Sequence, residues 1–275
     1  MYIAIFGKTY SRSRAIEVLD AAAGDGFAGV QFNLASAHIA SLPDQLPPGL
    51  AEEIGEYARS KEIRIAALSG TYNMAHPDPA VRTASRAEFL NVVEAARRMS
   101  APVVTLCTGS RDSDMWKYHP DNSSESAWRD LREELDYALA AAEAADIKLG
   151  VEPEPGNVVR DAKTARRLLD EVRSPQLGIV LDAANLLSAE TLSLQDSLIG
   201  AATELLGNDV LLAHAKDIDA AGRVVAAGEG AVHLREFVVA LRAAGFDGAL
   251  VGHGFGPEKA KGVAKVLVEL LEITT

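Results

Sequence analysis

Apolar residues gather into eight short runs of extended character: YIAIF at 2–6, GVQFN at 29–33, IRIAAL at 63–68, PVVTLC at 102–107, KLGVE at 148–152, LGIVLD at 177–182, VLLAHA at 210–215 and GALVGH at 248–253. Most are near-continuous rather than strictly alternating, the pattern of strands covered on both faces of a parallel sheet. Between them, apolar residues recur at three-and-four spacing with charges opposite, as in RAIEVLDAAAGDG, LAEEIGEYARSK, SRAEFLNVVEAARRM, WRDLREELDYALAAAEAA, AKTARRLLDEV, LREFVVALRAAG and EKAKGVAKVLVELLEI. That period predicts amphipathic helices. Only the segment 190–206 lacks a clear pattern. Ser124 or Ser126 is placed to cap the helix holding Trp128, and Gly245 follows the helix ending at Ala244.

Eight strand-helix units, with no Pro/Gly/Ser linker and no low-complexity tract, predict one (βα)8 barrel domain over residues 1–275. The competing architecture is an open doubly wound sheet. It usually has fewer strands and a Gly-rich first turn, and GKTYSRS after the first run is not G-x-G-x-x-G.

Composition narrows the setting. Subtracting 39 acidic from 27 basic residues gives a net charge of −12, against a surface built for nucleic-acid phosphates. No run approaches the roughly 20 apolar residues of a membrane helix. The single cysteine, Cys107, excludes an internal disulfide, and the N-terminal apolar run is too short for a signal-peptide core, so a cytoplasmic location is expected.

In a barrel, residues at the carboxyl ends of the strands converge on one mouth. Of the six histidines, His38, His76 and His119 follow the second, third and fourth strands, while His214 and His253 end the seventh and eighth; His233 begins a helix. Glu152 ends the fifth strand and Asp182 the sixth. A charge directly after an apolar strand is costly to desolvate without a partner. Glu152, Asp182 and His214 thus come from three consecutive strands, and two carboxylates with an imidazole suit Mn²⁺, Mg²⁺ or Co²⁺ ahead of Zn²⁺, with Fe²⁺ also compatible. The alternative is that the two acids merely pair with Lys216, Arg111 or backbone amides.

The chain resembles the sugar phosphate isomerase/epimerase family of xylose-isomerase-like barrels over nearly its whole length. The resemblance rests on Glu152 in LGVEPE, Asp182 in IVLDAANL, His214, Lys216 and Asp217 in AHAKD, and Gly228 to Gly230 in AGEG. ALSGTYNMAHPD and TLCTGSRDSDMWKYHPDN are similar to an uncharacterised branch. The family implies a metal held by Glu, Asp, His and a final Glu on the eighth strand, with the two glutamates shuttling the substrate proton. Here the last position falls on His253, and Asn185 stands where many members have His. The metal site survives these departures better than the two-glutamate mechanism, since imidazole can bind metal or carry a proton. Dimers or tetramers are also what the resemblance implies.

The expected chemistry is proton abstraction beside a carbonyl of a small sugar or sugar derivative, through a metal-stabilised enediolate. Isomerisation, epimerisation and β-elimination by a lyase or dehydratase all fit that site. In this scheme Glu152 is ligand and base, His253 fourth ligand or second acid/base, Lys216 the group that neutralises substrate oxygen, and Asn185 a hydroxyl partner. The long loop 108–122 reads as a lid, with Trp116 offering a sugar-ring face and Arg111 or His119 polar contacts; alternatively Trp116 packs the loop onto the barrel. Asn73, His76 and Glu154 are further substrate-side candidates. Gly228 and Gly230 either let amides approach an anion or shape a turn. Met74, Met115 and Cys107 read as packing residues, and Glu133, Glu134 and Asp136 as a solvated helix face. A non-catalytic sugar-binding barrel and an endonuclease-IV-like phosphodiesterase are the rivals from other classes.

Overall fold

The computed structural model describes residues 1–272 of the chain. Its strands and helices alternate: β1 (Tyr2–Phe6), α1 (Ala15–Gly24), β2 (Gly29–Phe32), α2 (Leu50–Ser60), β3 (Arg64–Ser69), α3 (Pro79–Met99), β4 (Val103–Cys107), α4 (Glu125–Ala145), β5 (Lys148–Glu152), α5 (Ala162–Val172), β6 (Leu177–Asp182), α6 (Gln195–Leu206) and β7 (Val210–Ala215). A short antiparallel ribbon, β8 (Asp217–Ile218) with β9 (Val224–Val225), interrupts before α7 (Leu234–Ala243), β10 (Ala249–Gly252) and α8 (Ala260–Glu272). The eight longer strands close in the order β1-β10-β7-β6-β5-β4-β3-β2, all parallel. The expected (βα)8 barrel is the observed fold.

The near-continuous apolar runs have a direct cause. Outward residues such as Ile5, Val30, Leu106, Val151 and Leu181 pack under the helices, while Ala4, Val103, Val180, Leu212 and Val251 fill a smaller cluster inside the barrel. Both faces of each strand are therefore dry.

Two helical expectations change. The third helix begins at Pro79 rather than near Ser85, because the Asp78 side chain accepts from the Ala80 amide at 2.8 Å and Pro at the first turn needs no donor. The unpatterned 190–206 stretch contains a short 3₁₀ turn and then α6. Ser124, not Ser126, caps α4, its Oγ 3.1 Å from the Ala127 amide.

Glu134 is not part of a solvated face, although Glu133 and Asp136 are exposed. It is 1% exposed between α3 and α4, where Arg86 lies 2.6 Å and Arg82 3.5 Å away and the Tyr72 hydroxyl donates at 3.3 Å. A buried carboxylate needs such partners, and three-and-four periodicity in α4 does not reveal that the arginines come from another helix.

Candidate functional site

Side chains alternate faces along a strand, so the residue two places beyond a lumen residue points into the same lumen one layer higher. Thr105 follows Val103, Asp182 follows Val180, His214 follows Leu212 and His253 follows Val251 in this way, and Glu152 rises similarly from Gly150. The register sets Asp182 level with His214 on neighbouring strands and Cys107 level with Glu152.

One ligand atom from each of Glu152, Asp182, His214 and His253 lies within 4.8 Å of all the others. His214 Nδ1 is 3.3 Å from Glu152 Oε1 and 3.9 Å from Asp182 Oδ2, and His253 Nε2 is 3.3 Å from the same Asp182 oxygen. The two imidazoles meet edge to face at 4.7 Å between centroids, and Phe6 meets His253 edge to face at 5.7 Å. His214 Nδ1 is buried and forms no hydrogen bond. Two carboxylate and two imidazole donors around an unpartnered ring nitrogen fit a divalent transition ion.

Lys216 and Asn185 tie the cluster together. Lys216 Nζ is 3.1 Å from Asp182 Oδ2 and donates to Asn185 Oδ1, whose amide nitrogen donates to Glu152 Oε1 at 3.0 Å and Glu154 Oε2 at 3.1 Å. Burial raises the Asp182 carboxyl, but the Lys216 ammonium and the bond to His253 outweigh it and hold it well below the usual carboxylate range. Glu152 is likewise raised by burial and pulled below its ordinary value by His214. Burial lowers Lys216, yet the Asp182, Glu152 and Glu154 carboxylates raise it overall, so it is a fixed cation. His214 rises because Glu152 and Asp182 outweigh its burial, whereas burial prevails at His253 and lowers it. Glu154, half-buried and facing two other acids, is pushed up to about 7 by desolvation despite Lys216.

Above the cluster opens a cavity of about 330 Å³. Glu152, Glu154, His214, Lys216 and His253 line one side, Gln31, Asn33, Ser69 and Thr105 another, and Trp116 the rim. Asp182 therefore pairs with Lys216, as the alternative sequence reading had it, but within the same ligand group rather than instead of it.

The family described as xylose isomerase-like TIM barrel matches residues 19–272. The chain belongs to that family. No curated protein matches it significantly in sequence. Among solved structures it is similar to a D-tagatose 3-epimerase-like protein, with TM-score 0.76, 19% identity, and 99% of this chain and 97% of the other covered. It is also similar to the 3-keto-D-glucoside 4-epimerase of E. coli, with TM-score 0.77, 15% identity, and 99% and 100% covered. A third, the IOLI protein with a bound zinc atom, gives TM-score 0.74 and 18% identity, with 98% of each chain covered.

Four expected substrate-side residues of this xylose isomerase-like barrel have partners in the loops and α4 and are not among the residues lining the cavity. Arg111 pairs with Asp130 of α4 at 2.8 Å and donates to the Ala75 carbonyl at 3.2 Å. His119 accepts from the Asp121 amide at 3.2 Å, and His76 from the Asp78 amide at 3.1 Å, each at a local turn. Asn73 accepts from the Ser110 amide at 2.9 Å and donates to the Asp112 carbonyl at 3.0 Å, clamping one loop to the next. All four sit in loops, where strand alternation cannot say which way a side chain points. Cys107, by contrast, stands at the mouth, its thiol 3.9 Å from Glu152 Oε2 and pushed far up by burial. Met115 also lines the cavity, while Met74 is buried packing.

Loop 108–122 is pinned at several points. Asn157 accepts from the Gly109 amide at 2.8 Å and donates to the Met115 carbonyl at 2.9 Å, and Asn122 donates to the Gly156 carbonyl at 2.9 Å. A side chain at Gly156 would stand 2.5 Å from the Trp116 carbonyl oxygen, so only glycine lets the loop close down there. Trp116 itself is 55% exposed and lines the cavity. Gly228 and Gly230 do present amides to an anion, but that anion is internal: both donate to Asp217 Oδ2 at 3.0 Å, and Val232 donates to Oδ1 at 3.0 Å. A Cβ at Gly230 would lie 2.1 Å from Asp217 Oδ1.

Sequence reasoning missed Gln31, which is 3% exposed and has its Oε1 2.7 Å from His214 Nε2. The available signal was a lone amide inside the apolar run GVQF.

Proposed function

We propose that this protein is a divalent-metal-dependent isomerase or epimerase that moves a proton beside a carbonyl of a small sugar or sugar derivative. The observation that carries the proposal is the convergence of Glu152, Asp182, His214 and His253 at the base of a polar cavity in a xylose isomerase-like barrel. Similar structures include a sugar epimerase and an epimerase-like protein, which supports the same substrate class.

A divalent cation held by these four residues would act as a Lewis acid on adjacent substrate oxygens, acidifying the neighbouring C–H. Glu152 supplies the carboxylate that takes the proton, held in its charged form by His214. Lys216 offers a fixed positive charge where negative charge develops on substrate oxygen, and Asn185 keeps Lys216, Glu152 and Glu154 in register. Trp116 gives the rim an apolar face against a sugar ring.

A second reading, loss of a β-substituent to give a dehydratase or lyase, is favoured by one feature. His253 stands where the family resemblance implies a second glutamate, so a symmetrical two-carboxylate proton shuttle is absent. A phosphodiesterase with a metal cluster is less well supported, because the described residues hold one four-ligand group.

The test is elemental analysis of the purified protein followed by solvent-deuterium exchange into a panel of ketoses. Near-stoichiometric metal, lost in Glu152→Ala together with exchange, is expected. A protein that neither carries nor takes up a divalent ion would refute the catalytic proposal and leave the sugar-binding barrel in its place.

A further inference from the structure

His214 can offer a cation either of its ring nitrogens, and a residue three strands away round the barrel bears on that choice. Gln31 of β2 is buried within the lumen. Its amide nitrogen reaches Thr105 Oγ1 on β4 at 3.2 Å and Ser69 Oγ on β3 at 3.4 Å. With the amide protons directed at those hydroxyls, the carbonyl oxygen faces the imidazole, 2.7 Å from His214 Nε2. A carbonyl oxygen only accepts, so Nε2 must carry hydrogen, and the lone pair of the neutral ring then sits on Nδ1. Nδ1 is the buried atom without a hydrogen bond, and it faces Glu152 and Asp182.

We propose that Gln31 is a positioning residue that holds His214 in the tautomer presenting Nδ1, and thereby sets the affinity of the four-residue site for a divalent cation. The inference rests on the metal-site proposal above. Thr105 and Ser69 act one step further out, because they fix which end of the Gln31 amide meets the ring. Turning that amide over would bring its N–H to Nε2 and leave the ring hydrogen on Nδ1, pointing a proton rather than a lone pair at the cation position. The side of the lumen formed by β2, β3 and β4 therefore has a function of its own: three neutral polar side chains orient one ligand without adding charge.

Zinc serves as a diamagnetic probe. Its affinity is measured by competition with a chromogenic chelator, and the ring ¹⁵N shifts of His214 are read in the zinc-loaded protein. Wild type is expected to bind zinc through Nδ1 with Nε2 protonated. Gln31→Leu, which removes the acceptor, should weaken binding about 10–100-fold, the usual effect of losing an outer partner of a metal-bound histidine. Gln31→Glu, which keeps an acceptor oxygen, should retain most of the affinity, a rescue that a space-filling role would not produce. Thr105→Val should give a smaller loss in the same direction, and it carries the comparison if Gln31→Leu does not fold by circular dichroism. Zinc bound through Nε2 in wild type, or unchanged affinity in Gln31→Leu and Thr105→Val, would overturn this inference and leave the metal site standing. A wild-type chain that takes up no zinc, manganese or cobalt would overturn both.

Discussion

Lys216 Nζ and Asp182 Oδ2 lie 3.1 Å apart at the ends of neighbouring strands, and the same carboxylate oxygen is 3.3 Å from His253 Nε2. One oxygen is thus shared between a fixed cation and a candidate metal-ligand pair. The arrangement keeps two buried acids ionised beside two imidazoles without importing charge from the surface.

Removing the ammonium should leave those acids undercompensated. Lys216→Met is expected to destabilise the metal-free protein by about 3–5 kcal/mol, the cost of breaking a buried ion pair from one side. Urea unfolding of metal-stripped wild type and variant measures it. A loss within the error of the extrapolation would mean that water already screens the pair.

The Glu134 pair makes a separate prediction, far from the mouth. Glu134→Ala strands Arg86 and takes from Arg82 one of its two carboxylate partners, leaving it Asp130, and should cost about 3 kcal/mol or more, with metal content unchanged in the folded fraction. Chemical denaturation and elemental analysis on one preparation separate the two effects. Metal loss without destabilisation would contradict a purely structural role.

Under the proposed function, Trp116 contributes to binding from the rim of the cavity. Trp116→Ala should raise KM for the sugar substrate about 3–10-fold, in line with about 0.5–1.5 kcal/mol for an aromatic face, while kcat and metal affinity stay near wild type. Steady-state kinetics on the ketose that exchanges fastest gives the split. Equal falls in kcat and kcat/KM would instead assign Trp116 a role in the transition state.

A pH dependence follows from α5. Burial raises Glu171, but the Trp128 indole N–H at 2.8 Å and the Arg167 and Arg132 guanidiniums outweigh it and lower its carboxyl. A depressed folded value contributes stability that is present above the unfolded value of about 4.3 and disappears as pH falls through the folded one. The stability gap between wild type and Glu171→Gln should therefore be widest near about pH 6 and narrow toward about pH 3. Denaturant midpoints across that range test it, and a gap that widened on acidification would have the sign wrong.

Much of the site was legible because strand ends are one-dimensional landmarks. Glu152, Asp182, His214 and His253 each close an apolar run, and a barrel carries all such positions to one mouth. Arg111, His119, Asn73 and His76 belong to loops, whose side chains were taken up by Asp130, by local amides and by the next loop. Gln31 went unnoticed because its partner lies 183 residues further along the chain.

By itself the order of residues determined the strand-helix alternation, the barrel and the four candidate ligands, since hydrophobic period and position along a strand are local properties. Tertiary structure alone decided the rest: that Glu134 is buried between two arginines, that Asp217 rather than a ligand occupies the glycine amides, and that Gln31 faces one nitrogen of His214. Those depend on which elements closure of the barrel brings within hydrogen-bonding distance, and polar contacts a few ångströms long are set only when the lumen and helix layers have packed.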